Sequence, residues 1–167
     1  MSLSIHQTAV RTITHMLGSL AKLLDKAEAD AAQRGYDVAV LLNARLAPDM
    51  FPLSRQIQSA SDVAKSTMGR LGGVEIPSFP DTETTLPGLR ERIRKTLEFV
   101  ESVPAASFDG AESRQVTFKA RGHVLEFAGD DYLLTWALPN FYFHITTAYA
   151  ILRHNGIGIG KRDYLDR

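Results

Sequence analysis

Apolar residues recur at three- and four-residue steps in three long segments of the chain, and this spacing predicts three amphipathic helices. The first helix is predicted to start at Ser2 or Ser4, either of which can cap it, and to stop at Gly35. The other two helices are predicted over residues 52–71 and 84–103, each followed by a glycine or proline that ends it.

A fourth helical segment, residues 130–156, is rich in aromatic residues and has His144 near its middle. Pro139 lies inside this segment. Proline in a helix interior removes one hydrogen bond and clashes with the preceding turn. The helix is therefore predicted either to kink at Pro139 or to start anew there, and both alternatives place a break just before Asn140 and His144.

Between the third and fourth helices the apolar period changes from helical to two. Residues 114–120 and 123–127 alternate between apolar and polar, and Arg121-Gly122 separates them. This pattern predicts a β-hairpin. The predicted fold is an all-α four-helix bundle with a small hairpin between helices three and four, in a single domain that covers residues 1–167.

The composition is that of an ordinary globular protein, with 167 residues of which 44% are hydrophobic. Because 19 basic residues balance 19 acidic ones, no net charge attracts nucleic acid or an anionic membrane. The absence of cysteine excludes disulfides, thiolate nucleophiles and thiolate metal sites. The chain shows no signal-peptide pattern and no apolar run of transmembrane length. These features predict a cytoplasmic protein with neither nucleic-acid nor membrane partners.

His144 is the first candidate for chemistry, because a histidine inside an aromatic helix needs a core hydrogen bond, a ligand or a metal ion as its partner. Neutral imidazole is a common metal ligand. The structural alternative is a histidine bonded to a carboxylate or backbone carbonyl from another helix. Asn140 lies one helical turn before His144 on the same face.

The second helix offers two partners for His144. Gln56 lies one turn after Pro52, beside the apolar stripe, and Asp49 lies at the entrance of the helix. Either side chain can meet His144 across the bundle. The simpler interpretation makes Asp49 the N-cap of the helix and Gln56 a hydrogen-bonding residue of the core.

Other catalytic motifs have little support in this sequence. No glycine-flanked serine of the nucleophile-elbow type is present. The glycines of GIGIG, residues 156–160, follow a helix rather than open one, so they lack the context of a phosphate-binding loop. This segment is predicted to be a flexible tail.

Residues 41–58 (LLNARLAPDMFPLSRQIQ) and residues 137–156 (ALPNFYFHITTAYAILRHNG), with the following GKRDYL, resemble a bacterial family of uncharacterised proteins. That family belongs to the DinB/YfiT-like superfamily of proposed metalloenzymes. The resemblance extends over nearly the whole chain, hairpin included. It implies a DinB-like four-helix bundle that forms a homodimer.

In the wider superfamily, three histidines bind a divalent metal: one from the second helix and a pair at i and i+4 from the last. Some members are metal-dependent thiol transferases. The resemblance places His144 at one position of the pair and Asn140 at the other. The second helix has no histidine between residues 51 and 71, and Asp49 and Gln56 are the nearest polar side chains that could stand in for one. The full triad is absent, so zinc or nickel would depend on His144.

Three hypotheses about function remain open. The first is a DinB-like protein that binds a small molecule in a polar pocket around the last helix and lacks the metal triad. The second is a divergent metal-dependent transferase or hydrolase that uses His144 with carboxylate or water ligands. The third is a non-catalytic homodimeric interaction module. We favour the first, which predicts a pocket formed by Asp49, Gln56, Asn140 and His144.

Overall fold

Long helices pack side by side in the computed structural model, which describes residues 3–120 and 122–167. A two-stranded hairpin lies before the last long helix, so the predicted helical bundle with a hairpin is confirmed. In chain order, the elements are α1 (Ile5–Arg34), α2 (Ala39–Leu42), α3 (Leu53–Gly72), α4 (Leu86–Ser102), a 3-10 turn (Ala105–Phe108), β1 (Gln115–Ala120), β2 (His123–Ala128), α5 (Gly129–Asp131), a π-helical segment (Tyr132–Ala137), α6 (Leu138–His154) and α7 (Lys161–Tyr164).

Local interactions set both ends of α1. Ser4 caps the N-terminus, where its Oγ accepts a hydrogen bond of 3.1 Å from the backbone N–H of Gln7. The alternative cap, Ser2, lies outside the described residues. Gly35 ends the helix in the left-handed conformation, with φ of 74°. Glycine adopts this conformation without the steric penalty of a Cβ atom.

The entrance to α3 differs from the prediction. The helix begins at Leu53, and its N-cap residue is Pro52, which has no side-chain oxygen to bond the first amides. Asp49 is exposed and makes no hydrogen bond to those amides, so it is not the cap. Thr85, in contrast, caps α4 near the predicted start of that helix, and its Oγ1 accepts from the N–H of Gly88 at 3.2 Å.

Helix α3 has neighbours on several sides and packs mainly against α6 and α4. Helix α1 closes the bundle by packing on α4 and α6. No helix among the described residues combines the length and the apolar character needed to cross a bilayer. The core contains the apolar stripes that the helical spacing predicts, including Ile13, Leu17, Leu20, Leu24, Ile57, Ala60, Ala64, Met68, Leu89, Ile93, Val100, Phe141, Ile145 and Ala148.

The hairpin pairs β1 with β2 in an antiparallel register that ends with Ala120 opposite His123. Of the two predicted turn residues, Arg121 lies outside the described part of the chain, and Gly122 has φ of 83°. An isolated hairpin is marginally stable in water, and here aromatic packing holds it against the bundle. The aromatic residues that meet at this contact are Phe118, Phe127, Tyr132 and Trp136.

The break predicted before Asn140 takes the form of a change in helix type. A π-helical segment, Tyr132–Ala137, leads directly into α6, and Pro139 lies in the first turn of α6. A local π-helical widening is one of the recognised ways in which a helix accommodates proline, whose ring crowds the preceding turn.

The GIGIG segment packs against the bundle, so the prediction of a flexible tail is wrong. Both of its isoleucines, Ile157 and Ile159, are buried. The following α7 lies on α1, where Ser19 Oγ donates to the backbone carbonyls of Asp163 and Tyr164 at 3.0 and 2.7 Å. The alternating isoleucines therefore form one buried face of this segment. The sequence analysis judged the segment by its glycines and missed that face.

Candidate functional site

His144 and Gln56 meet across the interface between α6 and α3. Nδ1 of His144 lies 2.8 Å from Oε1 of Gln56, and the Gln56 side chain is buried. On its other side, Nε2 of Gln56 donates to the backbone carbonyl of Phe51 at 3.2 Å. This second bond orients the amide so that its oxygen faces the imidazole. His144 therefore carries its proton on Nδ1 and donates it to Gln56.

The surroundings of His144 favour the neutral imidazole. Burial lowers the pKa of His144, and the positive charge of Arg55 lowers that pKa further. At neutral pH the ring then has one N–H, at Nδ1, and an unprotonated Nε2. Within residues 3–120 and 122–167, Nε2 has no hydrogen-bond partner. The site thus presents a half-buried lone pair that can accept a hydrogen bond.

The other two predicted pocket residues do not join this pair. Asn140 uses its Nδ2 to donate to the backbone carbonyl of Trp136, one turn earlier in its own helical segment, at 2.7 Å. Asp49 is exposed on the connection before α3 and makes no side-chain hydrogen bond to a described residue. Of the four predicted side chains, the structure brings together Gln56 and His144.

The residues around His144 do not fit a divalent metal ion. The described residues contain no group of three or more histidine, aspartate or glutamate side chains arranged to hold a metal. The two amide side chains also make other contacts, since Gln56 Oε1 accepts from His144 and Asn140 Nδ2 donates to backbone. A single imidazole is a much weaker donor set than the closed sites that zinc forms in proteins.

An apolar depression lies on α6 beside His144, and we call it the α6 groove. Phe143 forms part of its wall, is 55% exposed, and contacts the His144 ring edge-on at a centroid distance of 5.4 Å. The groove has a volume of about 470 Å³. It is lined by Leu46, Met50, Tyr142, Phe143, Thr146, Thr147 and Ala150.

A buried arginine in α4 forms a polar network that the sequence analysis missed. Nη2 of Arg92 lies 2.7 Å from Asp62 and 3.0 Å from Asp81, and Nη1 lies 3.0 Å from Glu83. The Arg92 side chain is 1% exposed. The burial of Arg92 could have been predicted from the sequence, because this residue lies three positions after Leu89 on the apolar stripe of the helix.

This network ties the connection between α3 and α4 to both helices. Lys65 donates to the carbonyl of Pro77 at 3.0 Å, and Arg55 forms an ion pair with Asp81. Arg55 therefore contacts the network and also acts on the charge state of His144. The ion pair with Asp81 thus links Arg55, which lowers the pKa of His144, to the network around Arg92.

Comparison with known proteins agrees with this architecture. The family profile described as a domain of unknown function, DUF1993, matches residues 5–165. The crystal structure of a DinB family member protein from Shewanella denitrificans is similar, with a TM-score of 0.91 and 44% sequence identity, over 96% of this chain and 91% of that one. No curated protein matches the chain. The chain therefore belongs to the DUF1993 family and has the DinB-like fold.

Proposed function

We propose that this protein binds a small organic molecule against α6, with Nε2 of His144 accepting a hydrogen bond from the ligand. The observation that carries the proposal is the bond between His144 and Gln56. That bond fixes the tautomer and orientation of the imidazole and leaves its second nitrogen as an acceptor without a partner among the described residues.

The ligand class follows from the groove that lies next to His144 on α6, where Phe143 contacts the imidazole ring. The α6 groove beside His144 supplies an apolar surface with an aromatic wall at Phe143. Binding sites for small molecules commonly combine such a surface with a few oriented polar groups. The charge of Arg55 nearby disfavours a cationic ligand. The preferred ligand is thus a neutral or anionic molecule with an apolar body and an O–H or N–H donor.

A pair of isomeric probes tests the proposal. p-Cresol carries a hydroxyl donor, whereas anisole has the same composition and a similar shape but no donor. The two would be titrated separately into ¹⁵N-labelled protein while the imidazole nitrogen signals of His144 are followed by NMR. We expect p-cresol to shift the His144 Nε2 signal in a saturable way and to bind about tenfold more tightly than anisole.

Two histidine variants of the same helix provide the control. His144→Ala should abolish the preference for p-cresol, whereas His154→Ala changes an exposed histidine at the end of α6 and should leave it intact. Equal binding of the two probes would contradict the role of His144. If instead purified protein contained near-stoichiometric zinc or nickel that His144→Ala removed, the metal-dependent transferase or hydrolase would replace this proposal.

A homodimer is the second candidate, because the same surface is unusually apolar. Leu46, Tyr142 and Phe143, which line the α6 groove, are 40%, 39% and 55% exposed. Contiguous exposed apolar patches often mark protein interfaces. Light scattering over a concentration series should show a dimer that Phe143→Ser weakens and Leu134→Ser, at another exposed site, does not. A monomer at all concentrations would contradict the homodimer, and ligand binding would remain as the proposed role of the groove.

A further inference from the structure

A second, small cavity lies between the C-terminal half of α3 and the π-helical segment. Its volume is about 130 Å³. Ser66, on its wall, is ten residues further along α3 than Gln56, which is about 15 Å at 1.5 Å per residue. The cavity is therefore distinct from the His144–Gln56 site. It is lined by Asp62, Val63, Ser66, Arg70, Tyr132 and Trp136.

Two hydrogen-bond donors of this lining have no acceptor in the described part of the chain. The hydroxyl of Ser66 and the indole N–H of Trp136 make no hydrogen bond to any residue in 3–120 or 122–167. Arg70 donates from Nη1 to the Tyr132 hydroxyl at 3.0 Å, and its guanidinium lies 3.9 Å from the centre of the Phe118 ring. These contacts hold the guanidinium in place and leave its other N–H groups for a ligand.

The charges around the cavity favour an anionic group. Asp62 is already compensated, since its Oδ1 lies 2.7 Å from Arg92 Nη2 and 3.1 Å from Lys65 Nζ. Arg70, in contrast, has no carboxylate within salt-bridge distance among the described residues. An incoming carboxylate would therefore pair with Arg70. The second oxygen of Asp62, Oδ2, accepts no hydrogen bond from the described chain and remains open to a donor.

We propose that this cavity binds a small carboxylate that carries a neighbouring hydroxyl or amino group. The carboxylate accepts from Arg70, Ser66 and the Trp136 indole, and the neighbouring group donates to Asp62 Oδ2. A water molecule occupies about 30 Å³ in the liquid, so the cavity suits a ligand of roughly four to six non-hydrogen atoms. A 2-hydroxy acid or 2-amino acid of three carbons meets all of these requirements.

Trp136 makes this proposal directly measurable, because it is the one tryptophan of the chain. Its fluorescence would be recorded during titration with L-lactate, L-alanine and propionate. Propionate keeps the carboxylate and the three-carbon frame but lacks the neighbouring donor. We expect a saturable change in emission with L-lactate or L-alanine, and binding of propionate that is about tenfold weaker, because the bond to Asp62 is charge-assisted.

A cavity-filling variant separates binding from general quenching. Ser66→Leu should abolish the saturable response without removing any hydrogen bond or ion pair that the structure contains. Ser54→Leu, the same change in the first turn of α3 and outside the cavity lining, should preserve that response. A circular-dichroism spectrum establishes that both variants are folded.

Three results would overturn the proposal. The first is an emission change that stays linear in concentration for all three compounds, which is the behaviour of collisional quenching. The second is equal affinity for L-lactate, L-alanine and propionate, which removes the role of Asp62. The third is an unchanged affinity in folded Ser66→Leu. None of these results bears on p-cresol binding at His144, so the two proposals fail independently.

Discussion

Nδ1 of His144 donates to Oε1 of Gln56 across 2.8 Å, and this bond joins two helices whose residues are 88 positions apart in the chain. Gln56 is in turn held by the carbonyl of Phe51. Two consecutive hydrogen bonds, from Gln56 to Phe51 and from His144 to Gln56, thus hold the imidazole in place. They determine which nitrogen of His144 is available to a ligand.

Removing the amide of Gln56 should destabilise the fold. Gln56→Ala leaves the Nδ1–H of His144 without its acceptor in a half-buried position, and we expect a loss of about 1–3 kcal/mol. Urea denaturation of Gln56→Ala, His144→Ala and the double variant would give a coupling energy of about 0.5–1.5 kcal/mol. A coupling energy near zero would show that the bond contributes nothing to stability.

Acid should destabilise the protein through His144. Its folded-state pKa lies below the ordinary value of about 6.5, because burial and then Arg55 oppose the charged form. Between those two pKa values the unfolded chain binds more protons, so stability falls as pH drops from about 6.5 toward the folded-state value. Well above pH 6.5, His144 is neutral in both the folded and the unfolded chain, so it causes no loss of stability there. His144→Gln should reduce that pH dependence of the urea midpoint, and an unchanged pH dependence in this variant would contradict the role of His144.

Two arginines of α4 should differ sharply in their effect on stability. Arg92→Met removes the buried guanidinium that Asp62, Asp81 and Glu83 share. Lys65 and Arg55 stay paired with Asp62 and Asp81, so we expect a loss of about 1.5–3 kcal/mol, the range of hydrogen bonds to charged groups. Arg94→Met, two residues away, removes exposed ion pairs with glutamates, which solvent screens, and should leave stability nearly unchanged. Thermal unfolding of the two variants compares them, and similar losses would contradict the structural role of Arg92.

Two glycines in helices should respond to alanine with opposite signs. A Cβ at Gly129 would lie 1.8 Å from the carbonyl oxygen of Ala111, so Gly129→Ala must move the backbone and destabilise the fold. A Cβ at Gly18 meets nothing within 4 Å, and alanine is the better helix former by about 1 kcal/mol. Gly18→Ala should therefore raise the melting temperature. A tolerated Gly129→Ala would refute the close contact.

The helices and hairpin could be predicted because their causes are local. Side chains three or four residues apart define a helix face, and Ser4 and Thr85 cap helices through amides three residues away. Gly35 stops α1 through its own backbone conformation. Such interactions are contained within a few consecutive residues, so the sequence shows them directly.

The site depended on the relative placement of helices. The sequence offered both Asp49 and Gln56 as partners of His144, and the rotation and axial position of α3 against α6 selected Gln56. The packing of α4 against α3 likewise buried Arg92 among three carboxylates from other segments. The sequence by itself therefore determined which segments form helices, strands and turns. Only the tertiary structure decided which polar side chains meet, because those contacts join residues far apart in the chain.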